Sequence, residues 1–226
     1  MSKLKLPWWL KILVKIILSR VPINYSFWRR LGIFRHGYMM QPNYGFDVFN
    51  NHIHKSGLNK GDLHEKVILE LGPGDSIATA IIASCYGAKA ILVDVGKFAT
   101  NDMARYKNIV KFLKKSGLNP PDISNAKTIE DILLACNAKY LTQGFRSLSL
   151  VKNDSIDLIF SQAVLEHIRK QDFKNTMKEN LRVLAHDGVA SHWVDLKDHL
   201  GGSLNNLRFN EKVWESNFFA NSGFYT

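Results

Sequence analysis

The sequence predicts an α/β fold: a doubly wound, mainly parallel sheet with helices on both faces, preceded by a helical N-terminal segment. From about residue 67 onward, short apolar runs that read as buried strands alternate with stretches of helical periodicity. The first run, VILEL, opens into a glycine-rich turn at Gly72–Gly74, and the second run ends in an acid, Asp94. A parallel sheet that is buried on both faces has this pattern of apolar strands separated by helices.

Length and composition fit one folded domain with an extension. The chain has 226 residues, of which 46% are hydrophobic and 22% charged. We divide it into a helical extension, residues 1–60, and an α/β domain, residues 61–226. Two cysteines without metal-ligand spacing indicate a reducing, cytoplasmic location. The net charge of +10 indicates an anionic partner, but no nucleic-acid-binding motif accompanies it, so we expect no specific nucleic-acid binding.

The first helix is predicted over Leu6–Arg20, LPWWLKILVKIILSR. This apolar run is shorter than the ~20 residues that span a bilayer, and Lys11 and Lys15 interrupt it. No small-residue cleavage site follows it, which disfavours a signal peptide. The stretch therefore reads as an amphipathic helix with a narrow polar face. Two interpretations stay open, because the helix can lie in a membrane interface as a peripheral contact or pack on the body of the protein.

Two more helices complete the extension. Pro22 ends the first helix, and the aromatic and basic segment NYSFWRRLGIF, residues 24–34, predicts the second. A third helix is predicted to end at Gly57, from the helical spacing of three apolar residues: Phe46, Phe49 and Ile53. Helical extensions of this kind often close over an active site, and by analogy this one is a candidate active-site cap.

Strands and helices then alternate up to Leu196. Asp75 and Ser76 can cap a helix after the glycine turn, with apolar residues at i, i+3, i+4 and i+7: Ala78, Ile81, Ile82 and Cys85. The next strand is AILVD, Ala90–Asp94, and the helix after it has an apolar face formed by Tyr106, Ile109, Val110 and Leu113. The last predicted elements are a strand over Ser155–Gln162, a helix over Phe173–Leu184 and a strand over Val189–Leu196.

The glycine turn and the acid together indicate a nucleoside cofactor. In a doubly wound sheet the ligand lies beyond the carboxyl ends of the strands. Gly72 and Gly74 let the backbone approach a ligand closely, and Asp94 can accept hydrogen bonds from both hydroxyls of a ribose. A dinucleotide fingerprint needs a third glycine where this chain has Ile77, which disfavours a nucleotide-dependent oxidoreductase. A tight turn that binds no ligand is the other alternative.

The motifs ELGPGDS, ILVD and DLIFSQAVLEHI resemble those of class I S-adenosylmethionine-dependent methyltransferases, over about Val67–Leu196. The resemblance implies a Rossmann-like fold and S-adenosyl-L-methionine as cofactor. It also implies a role for each site residue. The turn beside the methionine part of the cofactor is formed by Glu70, Gly72, Gly74 and Asp75, and the methionyl end is approached by Ser161 and Gln162. Asp94 holds the ribose hydroxyls, and Val95 borders the adenine. The family often has an acid after its third strand, whereas YLTQGF, Tyr140–Phe145, has none. We therefore expect backbone contacts with adenine near Gly144.

A narrower resemblance concerns the methyl acceptor. WRRLGIFRHG, SQAVLEH and SHWVDLKDH are similar to segments of methyltransferases of bacterial surface-polysaccharide biosynthesis. This implies methylation of a hydroxyl on a small-molecule or glycan acceptor, such as a sugar or glycolipid, for which a general base helps. The candidate bases are His199 and then His167, with Asp195 as a partner of His199. His192 is expected to be a packed strand residue, and positions 192 and 195 face opposite sides of a strand, so we expect no metal.

Beyond Leu196 only thirty residues remain, and no pair of alternating strands fits them. Class I methyltransferases usually complete the sheet with two more strands. Either this chain is a family member that lacks the two strands, or it is C-terminally truncated. We expect truncation, because an open fifth strand favours association with other chains or poor solubility. A non-catalytic Rossmann-like remnant, held at a membrane surface by its first helix, is the alternative to an enzyme.

Overall fold

The computed structural model of the chain describes residues 7–21, 38–197 and 204–222. The chain divides into two compact units. One unit consists of residues 35–162 and 175–193 and contains the sheet, and the other consists of residues 1–34, 163–174 and 194–226. The second predicted helix, residues 24–34, lies outside the described residues.

The described elements follow the predicted alternation. In chain order they are α1 (Trp8–Arg20), α2 (Pro42–Lys55), β1 (Val67–Leu71), α3 (Ala78–Ser84), β2 (Lys89–Val93), α4 (Met103–Lys115), α5 (Ile129–Ala135), β3 (Lys139–Leu141), α6 (Phe145–Leu148), β4 (Ile156–Gln162), α7 (Lys170–Val183), β5 (Leu184–Trp193), α8 (Glu211–Trp214) and α9 (Asn217–Ala220). Single 3₁₀ turns lie at Lys60–Leu63, Leu165–His167 and Asn205–Arg208. The helices α5 and α6 are short, and the sequence pattern did not predict them.

The five strands form one parallel sheet in the order β3-β2-β1-β4-β5. The chain builds outward from β1 to β3 on one side and from β4 to β5 on the other. The strand order therefore reverses between β1 and β4, which is where ligands bind in doubly wound sheets. This arrangement confirms the predicted Rossmann-like fold class.

Side chains of β1 alternate between two apolar clusters, one on each face of the sheet. Ile68 belongs to a cluster that also contains Phe49 of α2 and Ile81 of α3. Leu69, the next residue, belongs to the opposite cluster, which contains Val183 of α7. Because both faces are covered, the strands read as continuous apolar runs in the sequence. The helix α2, predicted as part of the extension, packs in the core against the sheet.

The fifth strand lies earlier in the chain than predicted. The prediction was Val189–Leu196, and the strand covers Leu184–Trp193. Its first residue pairs with Ile156, whereas Val189 pairs with Leu158, so the ladder is irregular between these pairs. The sequence HDG in this irregular part is typical of a turn, so the sequence pattern did not predict the start of the strand. The last residue of HDG, Gly188, packs so closely that a Cβ would lie 2.7 Å from the Ile156 carbonyl oxygen.

In the other unit, α1 buries one side in a small apolar cluster. Ile12 of α1 and Trp214 of α8 are its buried members, and the residues packed around them are Trp8, Ile16, Phe209, Phe219 and Ala220. The Arg20 guanidinium donates a hydrogen bond of 2.8 Å to the Phe218 carbonyl oxygen and lies over the Phe218 ring. None of the described helices combines the length and the apolar character needed to cross a membrane.

Candidate active site

The glycine turn follows β1 and is hydrogen-bonded to the carboxyl end of the neighbouring strand β2. Leu71 and Val93 are register partners in these strands, and the Gly72 N–H donates a hydrogen bond of 2.8 Å to the Val93 carbonyl oxygen. Gly72 and Gly74 have φ angles of +68° and +62°. Residues with a Cβ atom are disfavoured in this left-handed region, which explains why the turn has glycine at both positions.

Asp94 follows β2 and is held against this turn. Its Oδ2 atom accepts a hydrogen bond of 2.9 Å from the Gly74 N–H, and its Oδ1 atom accepts one of 2.7 Å from the Val95 N–H. Burial raises the pKa of the Asp94 carboxyl, and these two backbone donors act against that rise. Each carboxylate oxygen keeps a lone pair, so the group is oriented to accept hydrogen bonds from ligand hydroxyls.

Glu70, near the end of β1, is the second acid beside the turn. Only 2% of its surface is exposed, and its Oε2 atom is buried without a hydrogen-bond partner among the described residues. Burial raises the pKa of this carboxyl to about 8. The nearby Thr79 hydroxyl offsets only part of that rise and forms no hydrogen bond of ordinary geometry with the carboxyl, while the Asp94 charge adds to the rise. An unpaired buried acceptor is costly, and a ligand that carries positive charge would relieve it. The sulfonium and ammonium groups of S-adenosylmethionine fit this requirement.

The loops after β2 and β3 complete one side of the site. Val95 exposes 77% of its surface, so its apolar side chain is available to a ring such as adenine. The Gly144 N–H donates a hydrogen bond of 2.8 Å to the Asp94 carbonyl oxygen, and Gly144 has a φ angle of +57°. A contact between adenine and this residue would therefore use the carbonyl group. The Tyr140 hydroxyl donates to the Gly96 carbonyl oxygen at 3.0 Å and accepts from the Phe98 N–H at 3.1 Å.

The ends of β4 and β5 carry a set of polar contacts. Ser161 is buried, and its hydroxyl lies 2.8 Å from His192 Nδ1. Gln162 Oε1 lies 3.2 Å from Nε2 of His52, a residue of α2, and Nδ1 of the same ring lies 2.8 Å from the Ser191 hydroxyl. A histidine ring therefore contacts each of the two β4 residues, Ser161 and Gln162, that were predicted to approach the cofactor. His192 falls in the middle of the predicted strand Val189–Leu196 but is the second-last residue of the observed β5.

The predicted catalytic residues belong to the unit without the sheet. His167 ends the 3₁₀ turn Leu165–His167 and is exposed. Asp195 lies after β5 and is half-buried, and its N–H donates a hydrogen bond of 3.3 Å to Oε1 of Glu166. His199 lies outside the described residues. The roles of His199, His167 and Asp195 in catalysis stay predictions.

No role was predicted from the sequence for three residues of this region: His52, Tyr140 and Ser191. His52 could have been noticed, because it is a polar residue on the apolar face of α2, three residues after Phe49 and next to Ile53. Tyr140 and Ser191 give no such signal. Their roles depend on contacts with residues that are distant in the sequence.

Residues 69–191 match the family model described as a methyltransferase domain, which is more than half of the chain. A search of curated proteins finds no match for the chain.

Two solved structures that are similar to the chain share low sequence identity with it. A protein named as a sarcosine dimethylglycine methyltransferase from Galdieria sulphuraria shares 19% identity over 65% of this chain and 43% of its own, with a TM-score of 0.39. Phosphoethanolamine N-methyltransferase 2 of Haemonchus contortus, in complex with S-adenosyl-L-methionine, shares 18% identity over 64% of this chain and 27% of its own, with a TM-score of 0.40. The chain thus spans less than half the length of either protein. At these TM-scores the likeness carries no functional assignment.

Proposed function

The chain belongs to the family of methyltransferase domains and carries a domain of the class I S-adenosylmethionine-dependent kind, and from this premise we propose that it transfers a methyl group to a hydroxyl of a sugar or glycolipid. The observation that supports it most is the joint position of the Gly72–Gly74 turn and the Asp94 carboxylate, which the backbone amides of Gly74 and Val95 hold in place. Both lie at the carboxyl ends of adjacent strands, beside the point where the strand order reverses.

The residues around the turn fit the cofactor part by part. Asp94 would accept hydrogen bonds from the ribose hydroxyls, and the exposed Val95 side chain would contact adenine. Glu70 and Asp75 would lie on the methionyl side, where Glu70 Oε2 has no protein partner among the described residues. The cofactor supplies a methyl group that its sulfonium already activates. What the protein adds is position, because methyl transfer depends mainly on alignment of the acceptor with that methyl group.

The hydroxyl acceptor is the finer part of this proposal, and it rests on the resemblance of SQAVLEH and SHWVDLKDH to polysaccharide-modifying enzymes. A hydroxyl loses a proton as it is methylated, so a base at the acceptor increases the rate. His199 and His167 are the proposed bases, with Asp195 as the partner that orients His199.

The experiment that tests this proposal is transfer of an isotope-labelled methyl group from S-adenosylmethionine to a panel of acceptors. We expect labelled product with lipid-linked or free glycans, and much less product with the Asp94→Ala variant at the same limiting cofactor concentration. Labelling of amines in the same panel without any labelling of hydroxyls would contradict O-methylation. Stabilisation against heat by NAD but not by S-adenosylhomocysteine would favour the oxidoreductase alternative instead.

We also propose that α1 makes a peripheral contact with the inner face of a membrane. The two sides of this helix differ. Trp8, Ile12 and Ile16 pack in the apolar cluster of their unit, whereas Trp9, Leu13 and Ile17 are exposed, Trp9 by 56%. The second set repeats every four residues and forms one apolar strip on a chain of net charge +10. An apolar strip on a basic protein matches an anionic lipid surface in both its apolar area and its charge.

A further inference from the structure

His52 lies deep in the sheet unit, and both of its ring nitrogens have partners on the sheet. The residue is 5% exposed, and its ring stacks on Phe160 of β4, with ring centroids 4.7 Å apart. The Ser191 hydroxyl of β5 lies 2.8 Å from Nδ1, and Oε1 of Gln162 lies 3.2 Å from Nε2. Phe160 and Ser191 are register partners, so one imidazole bridges the ends of two neighbouring strands.

The partners assign the tautomer of the ring. An amide oxygen can only accept hydrogen bonds, so Nε2 carries the proton and donates to Gln162 Oε1. Nδ1 then accepts from the Ser191 hydroxyl. Burial lowers the pKa of His52, which favours this neutral form. His52 in turn affects His192 of β5, whose pKa is lowered first by burial and then by the nearby His52.

The hydrogen bond with His52 affects the orientation of the Gln162 side chain. With Oε1 engaged by His52, the rotation of the carboxamide is restricted, and the hydrogen bond observed for this side chain among the described residues leaves its amide nitrogen available. Gln162 follows the register pair Leu71–Ser161, so it ends β4 beside the glycine turn that begins at Gly72. An amide nitrogen held there offers two N–H donors to a negatively charged or polar oxygen of a ligand.

We propose that His52 is a positioning residue that orients the Gln162 carboxamide, so that its N–H donors bind the carboxylate of the cofactor's methionyl group. This inference rests on the proposed function, because it requires the cofactor to bind at the glycine turn. His52 itself touches no ligand atom, since both of its nitrogens are occupied. Its effect on the ligand passes through Gln162.

The test compares two ligands that differ only at the end that Gln162 would hold. S-adenosylhomocysteine has the amino-acid group, and 5′-methylthioadenosine lacks it. In His52→Leu, which keeps an apolar side chain over Phe160, we expect S-adenosylhomocysteine to bind about tenfold more weakly by calorimetry, the loss of about one well-formed hydrogen bond. Binding of 5′-methylthioadenosine should not change. His54→Leu makes the same substitution on the exposed side of α2 and should change neither affinity.

Two further variants separate positioning from a merely structural role. His52→Gln places an amide near the position of Nε2 and should restore most of the S-adenosylhomocysteine affinity, whereas His52→Asn should not. In a Gln162→Ala background, His52→Leu should cause no further loss, because the residue through which it acts is gone. Urea unfolding of each variant shows whether it remains folded.

The outcomes are distinct. Equal weakening of both ligands by His52→Leu, or the same loss with and without Gln162, would mean that His52 only supports the fold and would overturn the inference. If the parent protein binds 5′-methylthioadenosine but His52→Leu leaves S-adenosylhomocysteine affinity unchanged, the inference alone fails. Failure of the folded parent protein to bind either ligand would overturn the proposed function together with it.

Discussion

Two carboxyl groups beside the glycine turn are held in opposite ways. Asp94 accepts a hydrogen bond from a backbone N–H at each of its oxygens. Glu70 is almost fully buried, and its Oε2 atom has no partner among the described residues. Burial raises the pKa of both carboxyls, but only at Asp94 do backbone donors favour the charged form and oppose that rise. The site therefore combines a fixed hydrogen-bond acceptor with an acid whose charge depends on pH and on the ligand.

The buried Glu70 should make stability fall as pH rises. Its pKa is about 8 in the folded protein, against an ordinary value of 4.5. Between these values the folded state holds more protons than the unfolded chain, so the free energy of unfolding decreases with increasing pH. Glu70→Gln cannot lose a proton, so we expect its stability relative to the parent to increase from about pH 5 to about pH 8, by on the order of a few kcal/mol. Urea unfolding at both pH values measures this.

The exposed Glu65→Gln substitution is the matched control for that experiment and should show no such trend. An equal stability difference between Glu70→Gln and the parent protein at both pH values would mean that Glu70 keeps an ordinary pKa. The site would then lack the pH-dependent acid described here.

Tyr140 should support cofactor affinity without touching the cofactor. Its hydroxyl bridges the Gly96 carbonyl oxygen and the Phe98 N–H in the loop that follows Asp94 and Val95. Tyr140→Phe removes both hydrogen bonds but keeps the ring, so we expect a loss of about 1 kcal/mol in stability and several-fold weaker S-adenosylhomocysteine binding. Calorimetry and urea unfolding measure the two effects. Tyr38→Phe, on an exposed tyrosine of the same unit, is the control, and an unchanged affinity in Tyr140→Phe would contradict the role.

At the level of single residues, the sequence predicts what local chemistry determines. Gly72 and Gly74 are predictable because a left-handed turn after a buried strand requires glycine, and both do have positive φ angles. His52 and Ser191 were not predicted as partners because 139 residues separate them in the chain. The contact exists only after α2 packs on β4 and β5, and no local pattern encodes that packing.

Among the elements, the strands next to the site were predicted well and the last strand was not. The strands β1 and β4 begin and end close to the predicted positions, because long apolar runs between polar flanks leave little ambiguity. The start of β5 was missed because its irregular ladder places the turn-like residues HDG inside the strand. The helix α1 was predicted as amphipathic, and the structure shows that one of its sides packs while another is exposed.

The exposed side of α1 should bind anionic membranes. We expect the parent protein to sediment with phosphatidylglycerol-containing vesicles at low salt and to be partly released at high salt, because screening weakens the attraction of a basic protein to the surface. Replacement of Trp9, Leu13 and Ile17 by serine should abolish sedimentation while S-adenosylhomocysteine still binds.

The control removes an equal number of exposed apolar side chains elsewhere, by serine substitution of Leu134, Leu150 and Leu181. It should sediment like the parent protein. A deletion variant that lacks residues 1–20 should remain folded and bind S-adenosylhomocysteine, because the turn and Asp94 belong to the sheet unit. Sedimentation of the Trp9, Leu13 and Ile17 variant at the parent level would contradict the membrane contact.

At the scale of the whole molecule, the sheet has an open side that bears on association. In the described part of the chain, β5 pairs with β4 alone, and the Trp193 side chain near its end is 62% exposed. An unpaired strand edge with an apolar side chain favours pairing with a second chain. We expect concentration-dependent association in analytical ultracentrifugation, weakened by Trp193→Lys. A monomer at all concentrations, with or without the substitution, would contradict this expectation.

The central claim is that the Gly72–Gly74 turn and Asp94 form the binding site of S-adenosylmethionine, and titration calorimetry with S-adenosylhomocysteine tests it most directly. We predict saturable binding to the parent protein, a loss of ~1–3 kcal/mol in Asp94→Ala because polar groups on both partners are left unpaired, and no detectable binding in Gly74→Val. Asp187→Ala, an exposed acid in the amino-terminal half of β5, should bind like the parent protein. Binding to Asp94→Ala as tight as to the parent, or no binding to the folded parent protein, would contradict the account.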